Sequence, residues 1–166
     1  MKFAPIPPNE KERLMAVLDL KVLNTKPEER FDRFTRVAAE RFKVPITAIS
    51  ILDSDREWYK SRLGLSFKEL PRATSFCGHI ISSNYILMIK DTLLDSRFMD
   101  NPQVVNNPHI RFYAGVALCN KKNGLTVGAL CIKDTKPRNL TRQDILDLQK
   151  LAFQVEDELN KTKELC

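Results

Sequence analysis

With 166 residues, 43% of them apolar and 29% charged, the chain has the composition of one globular domain with a core of its own. Its net charge of +6 is dispersed: "EKER", "KPEERFDRFTR" and "DELNKTKE" mix both signs at helical spacing, which argues against the basic stripe that a nucleic-acid partner requires. No apolar run approaches the roughly 20 residues that span a bilayer, and "MKFAPIPPNEKERL" lacks the apolar core of a secretory signal, so a cytoplasmic protein away from membranes is expected.

Residues 1–8, rich in proline, read as a loose tail, and residues 9–164 as a single domain. "NEKE" reads as a capping box that opens a helix, with Asn9 accepting from the first turn and Glu12 reaching back. Leu14, Val17 and Leu18 give that helix a short apolar stripe. "TKPE" reads as a second box, Thr25 with Glu28, and Pro27 is tolerated in a first turn. Phe31, Phe34, Ala38 and Phe42 then recur every three or four residues, so one face of the second helix is largely aromatic. Pro45 ends it.

The pattern changes at "ITAISIL" (46–52), which is β-branched and apolar on both faces, as a central strand is. "WYKSRLG" (58–64) alternates, with Tyr59, Ser61 and Leu63 on one face and Trp58, Lys60 and Arg62 on the other; the two strands make a hairpin around "DSDRE". "SFCGHIISS" reads as a short helix opening at Thr74 or Ser75. "YILMIKD" (85–91) is a third strand. "LLDSRFMDNPQVVNNPH" is a long irregular crossover. "IRFYAGVALC" (110–119) and "LTVGALCIK" (125–133) are two more strands, joined at Asn123-Gly124, a strong hairpin signal. A two-residue turn there pairs residue 119 with 128 and 131 with 116, with Cys119 and Cys131 on opposite faces.

The last helix opens at Thr141, with Asp144 in the capping-box position and Leu140 and Ile145 placed as a hydrophobic staple. Ile145, Leu148, Ala152, Val155 and Leu159 follow heptad spacing. If the first helices leave this line uncovered, it is a homodimer seam; otherwise it belongs to an intramolecular bundle. Leu146 and Phe153 form a second apolar line on another face.

Four cysteines, at 77, 119, 131 and 166, show no CxxC and no regular spacing, so neither a disulfide framework nor a zinc site is suggested. Cytosolic thiols are normally reduced, and Cys119 and Cys131 read as small buried hydrophobes.

The order helix, hairpin, short helix, strand, crossover, hairpin, long helix resembles a GAF domain, the small-molecule sensor module related to PAS. "ISILDSDREWYKSRLGL", "RATSFCGHII", "IKDTLLDSRFMDNPQV" and "IRFYAGVAL…GLTVGALCIKD" carry the resemblance, over roughly residues 10–160. "SFC", "DxRFxxNP" and "IRFYAG" together are similar to a bacterial subgroup often fused to diguanylate cyclases or histidine kinases. The resemblance implies an α+β fold. A central antiparallel sheet of five to six strands would carry the terminal helices on one face and short helices and crossover loops on the other.

It also implies a ligand cavity between one sheet face and the crossover above it. Phe76, Phe98 and Tyr113 would supply apolar wall, and Cys77 a small wall position. His79, Asp91, Arg97, Asn101 and Arg111 would supply convergent polar groups. Arg97 or Arg111 could hold a carboxylate or phosphate, or could sit in an Arg–Asp network that pins the crossover without a ligand.

Cys77, in the first turn of its helix, is either a pocket-lining residue or a thiol sensor of peroxide or electrophiles. His79, two residues on, does not face it on a helix. One GAF enzyme, the free methionine-R-sulfoxide reductase, needs a nucleophilic and a resolving cysteine. Its crossover cysteine pattern is absent from "NNPHIRFYAG", so that activity is not expected. The cyclic-nucleotide motif is matched by letters at Asn120, Lys121, Phe153, Asp157 and Glu158, but at the wrong places in the fold. The Cys-Gly-His spacing also departs from the bilin-binding pattern. The expectation is a non-catalytic sensor without cofactor or metal. It would bind a small molecule, dimerise through its terminal helices and signal through the dimer or a separate output protein. The alternatives are a thiol sensor or reductase using Cys77, and a docking module without ligand.

Overall fold

A computed structural model describes residues 1–82 and 85–161. Cys166 and the expected domain end at 162–164 lie outside the described residues.

Two helices come first, α1 (Glu10–Asp19) and α2 (Glu29–Phe42). Neither expected capping box forms: Asn9 occupies the N-cap of α1 and Glu28 that of α2, and neither makes a side-chain cap bond. Thr25 instead bonds the Val22 carbonyl, and Glu28 holds Arg30 and Lys60. At α2 the Glu28 carboxylate is engaged by ion pairs rather than by a local cap. On α1, Arg13, Ala16 and Val17 are the buried residues, while the expected stripe residue Leu18 is exposed. Arg13 is buried because Glu10 and the carbonyls of Leu52 and Thr126 satisfy its guanidinium. On α2 the expected line Phe31, Phe34, Ala38 and Phe42 is buried throughout.

The sheet has six antiparallel strands: β1 (Ile46–Leu52), β2 (Arg56–Leu63), β3 (Glu69–Pro71), β4 (Ile86–Ile89), β5 (Phe112–Cys119) and β6 (Thr126–Asp134). Their order is β3-β2-β1-β6-β5-β4. β1 lies inside the sheet and every one of its residues is buried, as "ITAISIL" implies. β3 is an edge strand of three residues, too short to leave a period in the sequence.

Two register details depart from expectation. A bulge opposite Ile49/Ser50 skips Lys60, so Ser61 does not share a face with Tyr59. Ser61 turns to α2, where its Oγ meets Thr35 Oγ1 at 2.9 Å and donates to Asp32 at 2.6 Å. The β5–β6 hairpin departs from the expected register: Cys131 pairs with Gly115, one residue off, and past an irregularity at Leu118/Cys119 the Cys119 partner is Thr126, two residues off. The turn is wider than two residues, because Asn120 closes it by bonding Leu125 and accepting from Gly124.

A long helix, α4 (Arg142–Leu159), ends the description, and its capping box forms as read, Thr141 with Asp144. α1, α2 and α4 cover one face of the sheet and enclose the larger core. Leu148, Ala152, Val155 and Leu159 lie in that core, so the heptad line packs within the chain. Leu146 and Phe153 stay exposed. The other face carries a second core, closed by 3₁₀ helices at Arg72–Thr74, Cys77–Ser82 and Thr92–Leu94 and by a one-turn helix, α3 (Pro102–Val105). The N-terminal residues are tied to this layer rather than loose: Lys2 and Ala4 donate backbone bonds to Arg97 and Ala73. No helix among the described residues is long and apolar enough to cross a membrane.

Candidate functional site

The second core gathers part of the expected site residues: Phe76, Cys77, Phe98 and Tyr113, with His79 and Asn101 against it. Ser75 accepts from the Gly78 amide at 2.8 Å and starts the 3₁₀ turn that holds Cys77 and His79. Phe76 is fully buried and stacks between Phe98, at 4.7 Å between ring centroids, and Tyr113, at 5.1 Å. His79 meets the Phe98 ring edge-on at 4.8 Å. Burial, followed by the charge of Arg97, holds the His79 pKa below its ordinary value. The Cys77 sulfur lies 3.0 Å from Tyr113 Oη. Burial pushes this thiol well above its ordinary pKa, and Cys131 beside it adds to the shift. A thiol held protonated is a poor nucleophile.

Tyr113 reaches Cys77 because residue 115 has no side chain. A Cβ on Gly115 would stand 2.3 Å from Tyr113 Oη and 2.8 Å from Ile80 Cδ1.

Asn101 braces the wall. Its Oδ1 accepts from the Gln103 amide at 2.9 Å, capping α3, and its Nδ2 donates to the Thr74 carbonyl at 2.8 Å. The remaining expected polar residues do not converge on the stack. Arg111 grips Asp91 with two bonds of 3.0 and 2.9 Å, and Asp91 also accepts from Leu93. Arg97 grips its neighbour Asp95 at 3.0 and 2.7 Å and lies over the outer ring, Phe98. The Asp91–Arg111 pair joins the two ends of the crossover beside β4 and β5, and the Asp95–Arg97 pair lies within it.

Sequence reasoning missed the polar floor of this layer. Glu57, Tyr59 and Lys133 are buried on the same side as Tyr113 and Cys131, together with Gln103 of α3. Lys133 Nζ donates to Gln103 Oε1 at 3.1 Å and lies over the Phe76 and Tyr113 rings. Among the described residues, neither oxygen of Glu57 has a hydrogen-bond partner, nor does Tyr59 Oη or Gln103 Nε2. Burial opposes the Lys133 charge while Cys131 and Glu57 favour it, and the balance lies above the ordinary lysine value. Burial, then the Glu57 charge, pushes the Tyr59 phenol well up. The signal was present as charged residues inside otherwise buried strands, at period-two positions facing one side.

An open groove of about 490 Å³ lies elsewhere, at the α2–β2 edge, lined by residues that include Asp32, Arg36, Lys60 and Arg62. None of the expected site residues lines it. Among the described residues, no three His, Cys, Asp or Glu side chains gather in a group that could hold a metal ion.

A family model described as GAF domain matches residues 26–159. The chain belongs to the GAF domain family. It is 38% identical over 153 residues to a cyclic di-GMP phosphodiesterase of Pseudomonas aeruginosa, covering 92% of this chain but only 26% of that protein. The GAF domain of an Acinetobacter phosphoenolpyruvate-protein phosphotransferase superposes with a TM-score of 0.63 at 16% identity, over 89% of this chain and 92% of that one. The free methionine-R-sulfoxide reductase of Neisseria meningitidis, solved with its substrate, superposes at 0.64 with 15% identity, over 96% of each chain. At these identities the structural likeness establishes the GAF fold and nothing about chemistry.

Proposed function

We propose that this GAF domain is a sensor whose small-molecule ligand enters the layer between the sheet and the 3₁₀ helix Cys77–Ser82. The observation that carries this reading is the set of buried, unpartnered polar atoms on Glu57, Tyr59 and Gln103. Such atoms are costly unless something pairs with them, and here they lie beside an aromatic wall. That combination is the composition of a small-molecule site. Asp91, Arg97 and Arg111 act in this reading as fasteners of the crossover, so ligand binding is relayed through the same segment that closes the site.

The sensor works in the cytoplasm and signals as a homodimer or through an output protein. The exposed Leu146 and Phe153 of α4 supply the dimer contact, seven residues apart on one helix face. Relationship to part of a cyclic di-GMP phosphodiesterase supports a place beside a second-messenger enzyme. The thiol-sensor alternative is weaker, because Cys77 is fully buried and its thiol is held protonated.

Native mass spectrometry of freshly purified protein, repeated after denaturation, tests the reading. Extra mass that leaves on denaturation is expected. Added mass that survives denaturation in steps of oxygen would replace the ligand reading with the thiol one. Bare protein, with no thermal stabilisation by a metabolite extract, would overturn the sensor reading in favour of a docking module.

A further inference from the structure

The polar floor of the site has an unusual charge layout. Glu57 on β2 pairs with Leu52 at one end of β1, and Lys133 on β6 pairs with Ile46 at the other. Both side chains are fully buried. The Glu57 charge favours the Lys133 ammonium, yet among the described residues Glu57 makes no ion pair with Lys133 or any other cation. The same layer holds Tyr59 Oη and Gln103 Nε2, both without partners among the described residues. Lys133 spends one hydrogen bond on Gln103 Oε1, and an ammonium has three to give. The layer thus presents an acceptor end at Glu57 and a donor end at Lys133 and Gln103.

We propose that this layer recognises a small zwitterion, a free α-amino acid, with its ammonium at Glu57 and Tyr59 and its carboxylate at Lys133 and Gln103 Nε2. The inference rests on the sensor reading above and specifies its ligand. The ligand's two opposite charges match the two buried ones, so the net charge of the layer is unchanged and each unpartnered atom finds a partner. A ligand carrying one charge would leave the opposite buried group uncompensated, which is strongly unfavourable. Water would satisfy hydrogen bonds but not the charges. Beneath the aromatic stack the second core is built partly from small residues, Ala48, Ala117, Ala129 and Cys131.

The test is thermal unfolding of the full chain with each proteinogenic amino acid at millimolar concentration. For any that stabilises, the decarboxylated amine and the matching 2-oxo acid follow. At least one amino acid is expected to raise the melting temperature, and neither monopolar analogue is expected to do so. Calorimetry of Glu57→Gln and of Lys133→Met should show affinity lowered by about tenfold or more. Gln103→Leu, which leaves both charges in place, should show a smaller loss and serves if a charge variant does not fold. Stabilisation by none of the amino acids, equal binding of the amine or the 2-oxo acid, or wild-type affinity in folded variants would overturn the proposal. A bound ligand that mass spectrometry identifies as other than a zwitterion would overturn it while leaving the sensor reading intact.

Discussion

His79 and Gly115 show how single residues set the properties of the site. His79 sits against Phe98, where burial and then the Arg97 charge disfavour its protonation and Lys2 and Asp95 also act on it. Its folded pKa is depressed below the ordinary 6.5, so the unfolded chain binds the proton more readily. Its contribution to stability is therefore complete above that value and lost as the pH falls below it. Urea unfolding at a series of pH values should show stability declining on acidification through this window. His79→Gln should flatten that decline. Gly115 works by absence. In Gly115→Ala the new methyl displaces the Tyr113 phenol and breaks its contact with Cys77, at a cost of about 1–3 kcal/mol, the usual range for overpacking. Adding Tyr113→Phe, which removes the closest atom, should recover part of that loss in the same unfolding assay.

The helices differ in what starts them. α4 carries its own signal: the Thr141–Asp144 box forms even though Arg41 of α2 also bonds Asp144. Thr141→Ala should therefore cost about 1 kcal/mol, read as a lower urea midpoint with an unchanged slope. α1 and α2 do not use the boxes that their sequences offer. Glu10 is drawn instead into a clamp with Arg13 and Arg72 that ties α1 to the β1–β2 turn. Burial works against the Glu10 charge, but the two arginines prevail and hold its pKa at about 2. Glu28 is likewise spent on Arg30 and Lys60, also at about 2. Charged-group pairing across elements outweighs a cap worth about 1 kcal/mol when the partners are buried and multiply bonded.

Taken whole, the molecule divides its work between the two faces of one sheet. The helical face is a continuous apolar core that absorbs the heptad line of α4. The other face is smaller, aromatic and polar at its floor. The remaining apolar surface on α4 is Leu146, 49% exposed, and Phe153, 63% exposed. In the dimer reading, the double substitution Leu146→Glu with Phe153→Glu converts the dimer to a folded monomer, because neither side chain belongs to the core. Light scattering on the eluting protein reads the mass directly. An unchanged mass would remove this face from the interface.

The central strand "ITAISIL", the aromatic face of α2, the capping box of α4 and the two-faced α+β plan were legible in the sequence. Each rests on a local period or a local hydrogen bond that neighbouring residues suffice to specify. The family resemblance of the motifs also brought Phe76, Phe98 and Tyr113 together, and the three rings do stack. The bulge that turns Ser61 toward α2, the wider β5–β6 turn and the unused caps of α1 and α2 were not legible. Nor was the gathering of Glu57, Tyr59, Gln103 and Lys133 on one floor. Those features depend on which residues from distant strands become neighbours and on how buried charges find partners. Both are settled by long-range packing, where a few ion pairs and one skipped residue in a ladder outweigh any preference of the local chain.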